Sequence, residues 1–139
     1  MDLIGKWKGY YQFGEGYALP HFGERVGIVV SLNGSNISFT GIMEENESEF
    51  AVPLRSKIKG FSENGVLSFV KTYPKYPRIK EQGNSEIVFE NGILEVEHLG
   101  FVDEKFNTMY GGWSLREEFE IDGHIEEDIL YGTWLLKKI

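Results

Sequence analysis

Apolar and polar residues alternate with a period of two along almost the whole chain, and no window holds the 3.6 period long enough for a helix. Residues 4–13 set Gly5, Trp7, Gly9, Tyr11 and Phe13 against Lys6, Lys8, Tyr10 and Gln12, which predicts a strand whose odd positions face a core. After a glycine-rich loop, Val26, Ile28, Val30 and Leu32 form the inner face of a second strand. It ends at Asn33-Gly34, a dipeptide suited to a type I′ hairpin because both central residues need positive φ. The third strand places Ile37, Phe39, Gly41 and Met43 inside, and the acidic stretch 44–49 reads as the turn after it.

A fourth strand is expected from Phe50, Val52, Leu54 and Ile58, with Pro53 marking an edge or bulge. Glu63-Asn64-Gly65 turns into a fifth over residues 66–73, and Pro74 to Pro77 open the longest loop, drawn to Ser85. Strands at 85–90 and 93–101 are joined by Asn91-Gly92 as a second hairpin signal. Met109, Trp113, Leu115 and Phe119 share one parity, and a last strand follows Asp122-Gly123 over 129–138. Eight or nine strands of this kind predict an all-β chain closed as an up-and-down antiparallel barrel, one domain over residues 1–139.

The chain ends support closure. Gly5-Lys6-Trp7 and Gly132-Thr133-Trp134 each lie in a strand, and a closed sheet must pair its first strand with its last. Trp7 is expected to plug one end with Trp134 packed close to it, while Gly5, Gly9, Gly111, Gly112 and Gly132 relieve crowding beside them.

Composition narrows the function classes. A length of 139 residues with 41% hydrophobic content suffices for a core or for an enclosed cavity. The absence of cysteine removes disulfides, thiolate metal sites and cysteine nucleophiles, and points to a reducing, cytoplasmic setting. No apolar run reaches membrane-spanning length, and no signal-peptide pattern precedes the first strand. A net charge of -8 opposes nucleic acid and anionic membrane as partners.

The paired Gly-x-Trp strands resemble the calycin group, which holds the lipocalin, fatty-acid-binding and avidin-type barrels. Lipocalins add a C-terminal helix and fatty-acid-binding proteins a helical pair, for which this chain has no clear room, so the resemblance is to the plain eight-stranded, streptavidin-like shape. It does not carry biotin binding over. A Phe-x-Lys-x-Tyr strand like Phe69-Val70-Lys71-Thr72-Tyr73 is also seen in small bacterial barrels of uncharacterised function, which this chain is similar to.

Chemistry inside such a barrel falls to a few polar residues. His98 shares parity with Leu94 and Val96 and reads either as a core histidine or as a ligand contact. Lys71 and Tyr73 share parity with Leu67 and Phe69, bringing an ammonium and a phenol to one inner face; the resemblance to fatty-acid-binding barrels implies that such a pair receives a carboxylate. The other reading leaves Lys71 solvated at the mouth, because an uncompensated buried lysine is costly. Tyr11 and Trp113 are either cavity-lining or core.

No catalytic motif stands out. His21, His98 and His124 lack metal spacing, Gly14-Glu15-Gly16 lacks the rest of a phosphate loop, and no serine sits in a nucleophile elbow. No metal or cofactor is expected, and the acidic runs 117–120 and 126–128 read as solvated faces. Three functions follow: a container for a small hydrophobic molecule, in one version bearing a carboxylate; a barrel enzyme acting on a small hydrophobic acid; and a filled barrel serving as an interaction module. A homodimer through a barrel face is compatible with each.

Overall fold

The computed structural model describes residues 1–79 and 86–139, apart from the side chains of Ile79 and Phe119. The expected parity of Phe119 and the loop limit at Ser85 therefore lie outside the described residues. The chain forms β1 (Gly5–Phe13), β2 (Arg25–Gly34), β3 (Phe39–Asn46), β4 (Ser56–Glu63), β5 (Val66–Tyr73), β6 (Tyr76–Ile79), β7 (Ile87–Glu90), β8 (Leu94–Asp103), β9 (Thr108–Ile121) and β10 (His124–Lys138). Eight of these close an antiparallel up-and-down barrel in the order β1-β10-β9-β8-β5-β4-β3-β2, while β6 and β7 form a separate two-stranded sheet.

The seam is the expected one. β1 pairs with β10 from Trp7 opposite Lys138 to Phe13 opposite Gly132, so the sheet has no free edge there. The two seam tryptophans nevertheless do not meet: Trp134 lies opposite Tyr11, four residues along the strand from Trp7. Trp7 is fully buried at the end of the barrel that holds the N-terminus, its indole N–H donating to Leu3 O at 2.8 Å. Trp134 packs instead against Phe69 and His98.

Glycine makes this packing feasible. On the paired strands β9 and β10, Trp113 stands opposite Gly132 and Trp134 opposite Gly111. A Cβ on Gly132 would lie 2.1 Å from the Trp113 indole and 2.2 Å from Gln12 O. The Trp113 indole N–H donates to Thr133 O at 3.1 Å and that of Trp134 to Gly112 O at 3.0 Å, so each ring is fastened to the other's strand.

Several local expectations are corrected. Asn33-Gly34 is not a turn: both residues pair within β2 against Thr40 and Phe39, and the connection is the four residues 35–38, closed by Ser35 N–H to Ser38 O at 3.0 Å. Of the two, only Gly34 has positive φ, which a type I′ turn cannot use alone. Ile37 consequently sits in that turn, 78% exposed, rather than in the core. The acidic stretch is strand as far as Asn46. The expected fourth strand, drawn from Phe50 to Lys59, begins only at Ser56; its first part is a loop, in which Pro53 has no N–H for a ladder, yet Phe50 and Val52 are buried because the loop folds over the barrel end. Asn91-Gly92 does not join a hairpin, since β7 pairs with β6 and β8 pairs with β5 and β9. The true two-residue turns are Asn64-Gly65 and Asp122-Gly123, with positive φ at both positions. The last strand begins at His124, five residues earlier than expected.

The interior divides into two halves. Around Trp7, the side chains of Val30, Leu32, Phe39, Ile58, Leu67, Met109 and Leu136 fill the barrel and leave an apolar void of only about 10 Å³. Such a space stays dry. The other half is open, and its contents define the candidate site.

Candidate functional site

A cavity of about 280 Å³ occupies the end of the barrel where β1, β3 and β5 finish and β8 begins. Its deeper wall includes Lys71, Val96, His98 and Trp113, and its outer wall runs through Tyr17, Tyr76 and the exposed Ala18, Leu19 and Arg78. Two loops narrow the mouth. The loop after β1 is zipped to β10 by Gly14 N–H to Tyr131 O (2.8 Å) and Tyr131 N–H to Glu15 O (2.9 Å). The loop after β3 brings Phe50 onto His21, with ring centroids 4.5 Å apart. Between them Tyr11, Phe13, Tyr17 and Trp113 pack edge to face at 4.8–6.1 Å, a collar of rings beneath the opening.

At the boundary with the filled half, His98 stacks on Phe69 with centroids 4.3 Å apart and rings within 19° of parallel. The residues opposite one another on β5 and β8 are Phe69 with His98 and Lys71 with Val96, so Lys71 and His98 are diagonal neighbours on one inner face. Burial, and secondarily the charge of Lys71, holds the imidazole down to about 3, so the ring is neutral. Nδ1 lies 3.1 Å from Val96 O, a carbonyl that can only accept, which assigns the proton to Nδ1 and leaves Nε2 with its lone pair.

The residue that organises the site lies in the stretch expected to be a turn. Glu45 continues the parity of Phe39, Gly41 and Met43 on β3, and its side chain is wholly buried. Oε1 accepts from Tyr11 OH at 2.5 Å and from Val52 N–H at 3.0 Å. Oε2 accepts from Lys71 Nζ at 2.9 Å and from the Tyr73 hydroxyl. The ammonium of Lys71 also lies over the rings of Tyr11 and Tyr73, 4.7 and 4.5 Å from their centroids. One carboxylate thus gathers three side chains from β1 and β5 and tethers the mouth loop through Val52. Among the described residues no buried side-chain nitrogen or oxygen lacks a partner.

The candidate residues Tyr11, Lys71, Tyr73, His98 and Trp113 all line this one cavity, whereas Trp7 and Trp134 do not. Lys71 is 3% exposed, so of its two readings the solvated one does not apply. Its burial is tolerable because Glu45 compensates it. Burial depresses the ammonium from its ordinary range, with Glu45 opposing that shift, and burial followed by the nearby negative charge raises both phenols well above theirs. The carboxylate anticipated for Lys71 from a ligand is therefore already supplied by the chain itself. Among the described residues of the lining the other cation, Arg78, is paired with Glu90 at 2.6 Å, and Glu117 adds a negative charge to the rim.

In comparisons with known proteins, no family model, no curated protein and no solved structure matches this chain. Among the described residues, no helix is long and apolar enough to cross a membrane.

Proposed function

We propose that the protein is a calycin-type container that binds one small, largely apolar molecule in the open half of its barrel. The observation that carries this reading is the division of the interior. Side chains pack one half until no usable space remains, while the other half keeps a cavity of about 280 Å³ walled by aromatic rings. A volume close to the lower end of the range for small-molecule sites, about 300 Å³, favours a compact ligand. It argues against a barrel filled throughout and serving only as an interaction module.

Electrostatics refine the ligand. With Lys71 bound to Glu45 and His98 neutral in the deep wall, and Arg78 bound to Glu90 at the outer wall, the described residues of the lining offer no uncompensated positive charge. A carboxylate ligand would have to share Lys71 with Glu45, bringing two like charges together in a desolvated space. A neutral molecule meets no such penalty.

Native mass spectrometry of protein purified from its host, before and after denaturation, tests the reading. A bound species of small mass is expected to leave on unfolding. Trp113 supplies an independent signal from the cavity wall, because its fluorescence should shift when the space beside it fills. Repeated absence of any bound species, with no fluorescence response to apolar compounds of several classes, would remove the proposal.

A further inference from the structure

Lys71 and His98 present opposite hydrogen-bonding capacities to the same cavity. The Lys71 ammonium has three N–H groups and uses one on Glu45 Oε2, at 2.9 Å. His98 commits Nδ1–H to Val96 O, and no donor from the described residues is bound at Nε2. Since no buried side-chain polar atom of the described residues is unpartnered, that lone pair reaches the accessible space of the cavity that His98 lines. Its ring cannot turn freely to change this, being held flat against Phe69 on one side and tilted against Trp134 at 6.1 Å.

We infer that the ligand is an alcohol or phenol whose hydroxyl accepts from Lys71 Nζ and donates to His98 Nε2, with its apolar body lying among the aromatic rings. This rests on the binding reading above and narrows it. A hydroxyl satisfies both partners through one atom while remaining neutral. A carboxylate has no proton for Nε2, so its lone pairs would face that of the imidazole, and it would add to the charge of Glu45. A hydrocarbon would occupy the same volume but leave Nε2 and a Lys71 N–H without partners, and such unmet buried groups are where discrimination between near-isosteric ligands comes from. The surrounding rings supply the apolar complement: Tyr11, Phe13, Tyr17 and Trp113 offer faces and edges to an aromatic or alicyclic body.

The test uses two matched series at pH 7.5, read by isothermal titration calorimetry: 1-naphthol, 1-naphthoate and naphthalene, and cyclohexylmethanol, cyclohexanecarboxylate and methylcyclohexane. In at least one series the hydroxyl compound should bind about tenfold tighter than both of its relatives, the size of one well-made hydrogen bond. His98→Phe keeps a ring against Phe69 but removes the acceptor, and should bring the alcohol and the hydrocarbon to within about twofold. His98→Gln restores a side-chain acceptor and should recover most of the preference, which a merely structural role for His98 would not do. Thermal melts of both variants accompany the titrations, and the wild-type ranking stands even if neither variant folds. A carboxylate ranked first, or a hydrocarbon equal to the alcohol, overturns the hydroxyl assignment while leaving the container reading intact. If none of the six binds, the hydroxyl assignment falls, and the co-purification experiment decides separately whether the container reading falls with it.

Discussion

Lys71 Nζ stands 2.9 Å from Glu45 Oε2 inside the barrel, with side-chain exposures of 3% and 0%. A pair so buried is poorly described as a source of stability, because desolvation of both ions offsets most of their attraction. Removing one partner is another matter. Lys71→Met leaves a carboxylate held only by two phenols and one N–H, and Glu45→Leu leaves an ammonium against aromatic faces. Each single change should cost about 3–5 kcal/mol, whereas the double variant Glu45→Leu/Lys71→Met should lose clearly less than their sum. Urea denaturation of the four proteins measures the coupling; additive losses would mean that the two groups do not act as a unit.

Two neighbouring glycines of β9 differ sharply in what surrounds them. A Cβ on Gly111 would fall 1.9 Å from Leu99 O and 2.5 Å from Gly100 Cα, all backbone, while one on Gly112 would find nothing closer than Gly132 O at 3.5 Å. Gly111→Ala should therefore destabilise the barrel by about 2 kcal/mol or more, and Gly112→Ala by less than about 0.5 kcal/mol. Gly132→Val, which strikes the Trp113 indole and Gln12 O, should be at least as damaging as Gly111→Ala. Thermal melts separate these outcomes at roughly 4 °C per kcal/mol for a chain of this size.

Tyr11 and Tyr73 both donate to Glu45, and their ionisation would place a second anion beside it. The sign follows from linkage. Phenols whose folded pKa is raised contribute stability that is complete below the unfolded value of 10 and is lost as the pH climbs beyond it. Absorbance at the phenolate band should accordingly rise in two stages, with Tyr11 and Tyr73 appearing only as the barrel unfolds. Tyr11→Phe and Tyr73→Phe should each reduce the late stage by one phenol; an early, reversible titration of all seven tyrosines would contradict the buried hub.

The distance between the legible and the illegible parts of this molecule is set by how local each signal is. β5 is legible to the residue, Val66–Tyr73, because Asn64-Gly65 and Pro74 bracket a strict alternation. The seam is legible because closure requires the chain ends to pair. Partner choice elsewhere is not: nothing within Ile87–Glu90 records that it will pair with Tyr76–Ile79 and leave Leu94–Asp103 to β5. Glu45 was hidden for a different reason. An acid in a run of acids reads as solvated, and only its two-residue spacing from Met43, carrying the strand's parity past the apolar positions, marks it as inward. Once Glu45 is placed, the burial of Lys71 ceases to be anomalous.

His98 gives the barrel an acid sensitivity whose direction can be worked out. Its imidazole is held at about 3 in the folded protein against 6.5 in the open chain, chiefly by burial. Between those values the unfolded state binds a proton that the folded state refuses, so stability falls as the pH drops through the window and is unaffected by this group above it. The slope approaches 1.4 kcal/mol per pH unit, giving a loss of roughly 2–3 kcal/mol between pH 6.5 and pH 4.5. His98→Gln has nothing to protonate and should lose less stability over that interval by about this amount, the carboxylates of both proteins contributing alike. Urea midpoints at the two pH values provide the comparison. Equal acid losses in the two proteins would show that His98 accepts its proton without unfolding, and hence that water reaches the imidazole far more freely than its position, stacked on Phe69 and tilted against Trp134, allows.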